Sequence, residues 1–210
     1  RENEAWATIM KIEVFAQCDN LLGEAPLWHP QRQSLFWLDI LNSQLFEKTI
    51  DSEYNEPDHS WDLPEMASAL AVDGNSSNSL WMVTEQSFGS FSLKTGDYKP
   101  IVDLKISQAH RSNDGAVAPD GSFWFGTMER IPSGYNGGVY SISKQGELLR
   151  QLQHIGIPNT FCWSRDGSIL YLSDSFRKQM ISYDCAGGSV VDVAGSVFID
   201  LSADKSTPDG

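Results

Sequence analysis

Cysteine is scarce in this 210-residue chain: Cys18, Cys162 and Cys185 are the whole complement. An odd count with no metal-ligand spacing excludes a disulfide framework and a zinc ribbon, and reduced thiols predict a cytoplasmic protein. Basic residues are also few. Lys and Arg number 15 against 28 Asp and Glu, for a formal charge of −13. That balance leaves no electrostatic footprint for nucleic acid or an anionic membrane. No apolar run approaches the ~20 residues that span a bilayer. The acidic start, Arg1-Glu2-Asn3-Glu4-Ala5-Trp6, lacks the apolar stretch of a secretory leader. Helical periodicity is missing too, and no Gly-x-Ser-x-Gly nucleophile elbow occurs.

What is present is a globular balance, 40% hydrophobic and 20% charged, with 7 Trp, 10 Phe, 6 Tyr and 17 Gly. That mixture leans toward an all-β fold of short strands between turns. A long period organises those strands. Leu35-Phe36-Trp37-Leu38-Asp39, Leu80-Trp81-Met82-Val83-Thr84, Phe123-Trp124-Phe125-Gly126-Thr127 and Leu170-Tyr171-Leu172-Ser173-Asp174 recur every 43–47 residues. Each follows a turn, at residues 29–33, Asp73-Gly74-Asn75, Pro119-Asp120-Gly121 or Arg165-Asp166-Gly167, and each turn follows a short apolar strand. Two further strands per unit are clearest as residues 138–142 with 148–152, and 180–183 with 189–193.

Four antiparallel strands in each unit of about 45 residues is the pattern of a β-propeller blade. A β-sandwich also offers short strands but predicts no such recurrence. Blades begin near residues 24, 65, 113 and 159, and Pro208-Asp209-Gly210 reads as the opening of a fifth. Residues 1–10 read as an N-terminal extension and 11–210 as one incomplete propeller domain, with a ring-closing strand expected at about 11–17. An unclosed ring exposes a sheet edge, so the chain is expected to be inactive or unstable unless other strands complete it.

In a propeller the first strand of each blade lines the central channel, so residues just before that strand converge on the axis. Those positions supply side-chain oxygens from Glu24, Asn113, Asn159 and Asp209. Oxygen-only donors suit one hard divalent cation, Ca²⁺, Mg²⁺ or Mn²⁺, with Zn²⁺ a further candidate. Each motif alone is also ordinary turn chemistry, because Asn and Asp bond their own backbone. Their shared phase in the repeat is what singles them out. The Asp-Gly turns at the other end of the strand read as structural, and the recurring Trp and Phe as blade packing. His29, His59, His110 and His154 fall in different phases, against a His-built zinc site. Cys162, on an inner strand, reads as a small core residue.

Gly-Glu-Ala-Pro-Leu-Trp (23–28) and Leu-Phe-Trp-Leu-Asp-Ile (35–40) resemble the first blade of the senescence-marker-protein/gluconolactonase/luciferin-regenerating-enzyme family. Arg-Ser-Asn-Asp-Gly (111–115) with Pro-Asp-Gly-Ser-Phe-Trp-Phe-Gly-Thr-Met (119–128), then Ile-Pro-Asn-Thr (157–160) and Pro-Asp-Gly (208–210), are similar to its next motifs, in the family's order. The resemblance covers residues 11–210. It implies a six-bladed propeller holding one divalent metal and hydrolysing a small-molecule sugar lactone. By motif, Glu24, Asn159 and Asp209 match the metal ligands, Arg111 and Asn113 the substrate-binding pair, and Glu129 an acidic residue that follows Gly-Thr-Met. Thr160 and Ser112 depart from the pattern, with consequences for pocket shape.

The expected activity is that of a carboxylic ester hydrolase: a metal-dependent lactonase working by metal-activated water attack, with Asp209 as general base. Arg111 would anchor sugar hydroxyls or the developing carboxylate through its planar fork of donors. The alternative is a non-catalytic calcium-binding regulatory or interaction propeller built on the same ligands.

Overall fold

The computed structural model describes residues 12–209. The N-terminal extension at 1–10 and Gly210 lie outside the described residues. The chain is all β, with no helix among the described residues, so none that could cross a membrane. Four antiparallel sheets follow one another along the sequence. The first contains β1 (Gly23–His29), β2 (Ser34–Asp39), β3 (Gln44–Thr49) and β4 (His59–Asp62). The second contains β5 (Ala67–Val72), β6 (Ser79–Thr84), β7 (Ser87–Ser92) and β8 (Tyr98–Asp103). The third contains β9 (His110–Val117), β10 (Phe123–Glu129), β11 (Gly137–Ile142) and β12 (Leu148–Ile155). The fourth contains β13 (Pro158–Trp163), β14 (Ile169–Asp174), β15 (Gln179–Ala186) and β16 (Ser189–Val190), and β17 (Ser196–Asp200) also pairs with β15. Strand order within each sheet is sequence order, a meander, and the inner strands pack in series, β1 on β5, β5 on β9 and β9 on β13. These are four propeller blades.

The core explains the composition. Three buried clusters each lie between consecutive blades. Phe36, Leu38, Leu70, Met82 and Phe91 fill the first gap, and Ala69, Ala71, Val83, Phe88, Phe123 and Phe125 the second. Trp124, Val139, Phe161, Leu170, Leu172 and Tyr183 fill the third. Blades splay outward from the axis, so the gaps are narrow at the inner strand and wide further out. Ala67, Ala69 and Ala71 accordingly occupy β5, while the aromatic rings sit mainly on the strands outside it. Trp37 stacks on Phe46 and Phe125 on Tyr140, centroids 5.5 and 5.6 Å apart, directly opposite each other across strands. Each fully buried side chain of this size contributes roughly 1.5–3 kcal/mol relative to exposure. The recurring aromatics are therefore blade packing, as their period predicts.

Three expectations are corrected. The strand expected at 11–17 is absent over its described part, 12–17. That segment is held instead by the Gln17 N–H to the Asn55 carbonyl and by Lys48, whose ammonium reaches the Phe15 carbonyl and lies over its ring. The strand expected at 189–193 stops at Val190, because β17 takes over the edge of β15. Cys162 is exposed rather than in the core, since it points away from the β13 face that carries Phe161.

Candidate functional site at the propeller axis

Two buried carboxylates aim the strands that matter. Asp39, at the end of β2, accepts the backbone N–H groups of Leu21 (2.9 Å) and Leu22 (3.1 Å). Asp174, at the end of β14, accepts those of Gly156 (2.9 Å) and Ile157 (3.0 Å). Each fixes the chain just ahead of an inner strand, before Gly23-Glu24 in one blade and before Pro158-Asn159 in the other. Burial alone would push Asp39 up, but the hydrogen bonds from Leu21, Leu22 and Asn42 outweigh it and hold the carboxyl below its usual range.

Each of these inner strands then carries one extra residue. The ladder shifts between Glu24 and Leu27 in β1, opposite Phe125–Thr127 in β9, and between Asn159 and Cys162 in β13. Such bulges bend the strand and re-aim its side chains. Ala25 and Thr160, the residues after Glu24 and Asn159, take the left-handed φ values of 54° and 55°. Asn113-Asp114-Gly115 is therefore part of strand β9, not a turn. Glu24 and Asn159 likewise lie inside their strands. Gly126 completes the arrangement: a Cβ there would sit 2.2 Å from the Pro158 ring, so only glycine lets the fourth blade come this close to the third.

The close approach closes a directed hydrogen-bond chain. Arg111 Nη1 donates to Asn113 Oδ1 (2.9 Å), and Asn113 Nδ2 donates to Asn159 Oδ1 (2.8 Å). Asn159 Nδ2 donates to Ser175 Oγ (2.8 Å), whose hydroxyl donates to the Pro208 carbonyl (2.6 Å). A guanidinium can only donate and a carbonyl can only accept, so the two ends fix the direction of every bond between them. Both amides are thereby oriented, with Asn159 Oδ1 keeping one lone pair beyond the bond from Asn113. Its side chains come from positions 111, 113, 159 and 175 and its last acceptor is the backbone of residue 208, and blade packing joins them.

Beside this chain lies a cavity of about 810 Å³, lined among others by Glu24, Asp114, Thr160, Phe161 and Asp209. Its acids repel one another. Burial raises the Glu24 pKa, the negative charges of Asp209 and Asp114 raise it further, and Arg111 partly offsets them. Asp114 is also raised, first by burial and then by Asp209, against the N–H bonds from Gly115 (2.7 Å) and Thr160 (2.8 Å). Burial lowers the Arg111 pKa, as does the charge of Arg130.

The structure thus brings Glu24, Arg111, Asn113, Asn159 and Asp209 to one region. Glu129 goes elsewhere. Its carboxylate accepts the Ser133 N–H (2.9 Å), the Ser133 hydroxyl (2.8 Å) and Asn136 Nδ2 (2.9 Å), shaping the loop after β10 rather than the cavity wall. His110, just before Arg111, has Nε2 3.1 Å from the Asn136 carbonyl of that loop. Ser112 is buried and bonds Ser68 Oγ (2.6 Å), joining β9 to β5. Sequence reasoning missed Asp114. The signal was its place beside Asn113, hidden because Asn-Asp-Gly reads as a turn.

The all-oxygen set of Glu24, Asp209 and the Asn159 amide suits a hard cation, and the mutual repulsion of the acids is what a positive charge would relieve. Among the described residues no three His, Cys, Asp or Glu side chains form a metal-binding group by themselves.

A propeller whose axial residues are acids, amides and one arginine is a defined class of protein. Residues 22–210 match the SMP-30/Gluconolactonase/LRE-like region, and the chain belongs to that family. It is 30% identical over 202 residues to an L-arabinolactonase of Azospirillum brasilense, covering 94% of this chain and 65% of that protein. It is 28% identical over 191 residues to a protein of Rhizobium meliloti named "Putative sugar lactone lactonase", covering 90% of this chain and 61% of that protein. A calcium-binding protein, regucalcin, from Agrobacterium tumefaciens superposes with a TM-score of 0.86 at 29% identity, covering 94% of this chain and 65% of that one. The chain thus spans under two thirds of the length of these relatives.

Proposed function

We propose that the protein is a divalent-cation-dependent lactonase that opens a sugar-type lactone. The single observation carrying this reading is the directed chain from Arg111 through Asn113 and Asn159 to Ser175 and Pro208, set beside the acids of one cavity. The names of the Azospirillum and Rhizobium relatives support the same substrate class.

In this reading Glu24, Asn159 and Asp209 hold one cation, with Ca²⁺, Mg²⁺, Mn²⁺ and Zn²⁺ as candidates. When bound, it supplies Lewis-acid polarisation of the ester carbonyl and neutralises the clustered acids. Arg111 presents a planar set of donors to the sugar hydroxyls and to the carboxylate released on ring opening. Asn113, oriented by Arg111, adds a neutral hydrogen bond. Asp209 takes a proton from the attacking water as general base and returns it to the leaving hydroxyl. No covalent intermediate is required. Glu129 is left out of the substrate contacts because its oxygens are committed to Ser133 and Asn136.

The test is a pH-stat assay on gluconolactone and an arabinonolactone, with EDTA and with Mn²⁺ or Ca²⁺ restored. Acid release is expected to stop in EDTA and return with the metal. A rate indifferent to EDTA would contradict the metal reading. One observation favours a second reading: the Agrobacterium neighbour is described as a calcium-binding protein. A calcium-binding regulatory propeller would take up metal but release no acid from either lactone.

A further inference from the structure

Thr160 stands at the one point in this site where the chain both departs from the family pattern and adopts a costly conformation. A β-branched residue at a φ of 55° is an outlier, because its Cβ substituents crowd the backbone in the left-handed region. Such residues persist only where their surroundings hold them, and they concentrate at functional sites.

The surroundings here are specific. The Thr160 N–H donates to Asp114 Oδ2 (2.8 Å), while the same carboxylate accepts the Gly115 N–H through Oδ1 (2.7 Å). Asp114 thus ties the bulge of β13 to β9. The Thr160 hydroxyl accepts a bond from Ser173 Oγ (3.0 Å) and donates its proton to the Asp209 carbonyl (2.6 Å). Ser175 donates to the preceding carbonyl, Pro208 (2.6 Å), and accepts from Asn159. Two hydroxyls of the fourth blade therefore grip two consecutive carbonyls of a segment that has no strand of its own over 201–209. One hydroxyl belongs to the residue after Asn159, and the other bonds the Asn159 amide.

We propose that Thr160 is a positioning residue: its hydroxyl, held in the left-handed conformation by Asp114, sets the place of the cavity residue Asp209 relative to Asn159 behind it. This role rests on the cation reading above for its consequence, but not for its geometry. A shift of the backbone at 208–209 would carry Asp209 away from Glu24 and Asn159. The paired hydroxyls resist that shift before any ligand arrives, which is how preorganisation raises affinity.

The test uses Thr160→Val, which keeps the shape and strain but removes the hydroxyl, and Thr160→Ser, which keeps the hydroxyl. Two readouts are taken from each purified protein: Mn²⁺ affinity by calorimetry, and hydrogen–deuterium exchange of the peptide spanning 201–209. A melting curve in EDTA checks that each variant is folded. Thr160→Val is expected to bind Mn²⁺ about tenfold more weakly and to exchange faster in 201–209, with Thr160→Ser within twofold of the parent on both. Thr160→Val matching the parent in exchange would overturn the proposal, whatever the metal does. Faster exchange with unchanged Mn²⁺ affinity would overturn the link to ligand geometry. No Mn²⁺ binding by the parent would sink the cation reading instead, while exchange still decides the role of Thr160. Should Thr160→Val fail to fold, Thr160→Gly serves. It relieves the strain and lacks the hydroxyl, so it is expected to be well folded yet weak for Mn²⁺ and fast in exchange.

Discussion

The two ends of the inner strands are built from the same residue types and behave in opposite ways. At the turn end, Asp73, Asp120 and Asp166 sit in hairpins and, among the described residues, accept bonds from within the same hairpin. Asp120 Oδ1 accepts the Ser122 N–H (2.9 Å) and hydroxyl (2.6 Å), and Asp166 Oδ1 accepts the Ser168 N–H (3.1 Å) and hydroxyl (2.8 Å). At the axial end, Asn113 bonds Asn159, Asp114 accepts from Thr160, and Thr160 reaches Asp209, each pair 46 or 49 residues apart. Local donors stabilise the ionised turn carboxylates: hydrogen bonds from Ser164 and Ser168 bring Asp166 down to about 2. Burial and shared negative charge destabilise the axial ones and raise Glu24 and Asp114. One end folds the chain, and the other stores unrelieved charge.

The largest effect that could break this contrast is on catalysis. Asp209→Ala or Glu24→Gln is expected to cut lactone hydrolysis roughly a thousandfold or more, since each removes an oxygen that charge stabilisation depends on. Asp166→Ala is expected to leave the rate as it was. Steady-state rates on one lactone check both, and equal losses at the two ends would erase the distinction.

Next comes stability. Asp39 is only 1% exposed and satisfies two strand-entry N–H groups. Asp39→Ala is expected to cost about 3 kcal/mol in a urea titration, because buried donors are left without acceptors. Gly126→Ala is expected to lower both stability and cation affinity, since the added methyl must push Pro158 away and part Asn113 from Asn159.

The smallest effect is on pH dependence, and its sign differs between the ends. The lowered pKa of Asp166 means its contribution is present above its ordinary value of 3.8 and is lost as pH falls toward about 2. The raised pKa values of Glu24 and Asp114 mean the reverse. Their contribution is full below their ordinary values of 4.5 and 3.8 and is lost as pH rises through the raised folded-state values. In metal-free protein, Asp166→Asn should therefore flatten the acid limb of the stability profile. Asp114→Asn should lessen the decline on the neutral side, leaving the part that Glu24 contributes. Thermal melts across the pH range read both.

The blades were legible because strand period and turn chemistry are local. Each hairpin turn, from residues 29–33 to Arg165-Asp166-Gly167, falls where the structure turns. That Glu24, Asn113, Asn159 and Asp209 share one phase of the repeat was legible once the blades were aligned, and the narrower set of Glu24, Asn159 and Asp209 came from the family resemblance. Bulges were not legible, because an extra residue in a strand leaves no compositional mark. Hence Asn113-Asp114 was placed ahead of its strand rather than inside it, and Asp114 was passed over. Glu129 was carried over only because an acidic residue follows Gly-Thr-Met, and in the structure Ser133 and Asn136 of the following loop bond its carboxylate. Cys162 shows another limit, since apolar neighbours in sequence do not say which face of a strand meets the core.

A crystal soaked in Mn²⁺ and measured at the manganese absorption edge tests the central claim most directly. The account predicts one anomalous peak at the axis, in contact with oxygens of Glu24, Asn159 and Asp209 and missing from crystals of the Asp209→Ala variant. No peak at the axis, or a peak held by other residues, would contradict it.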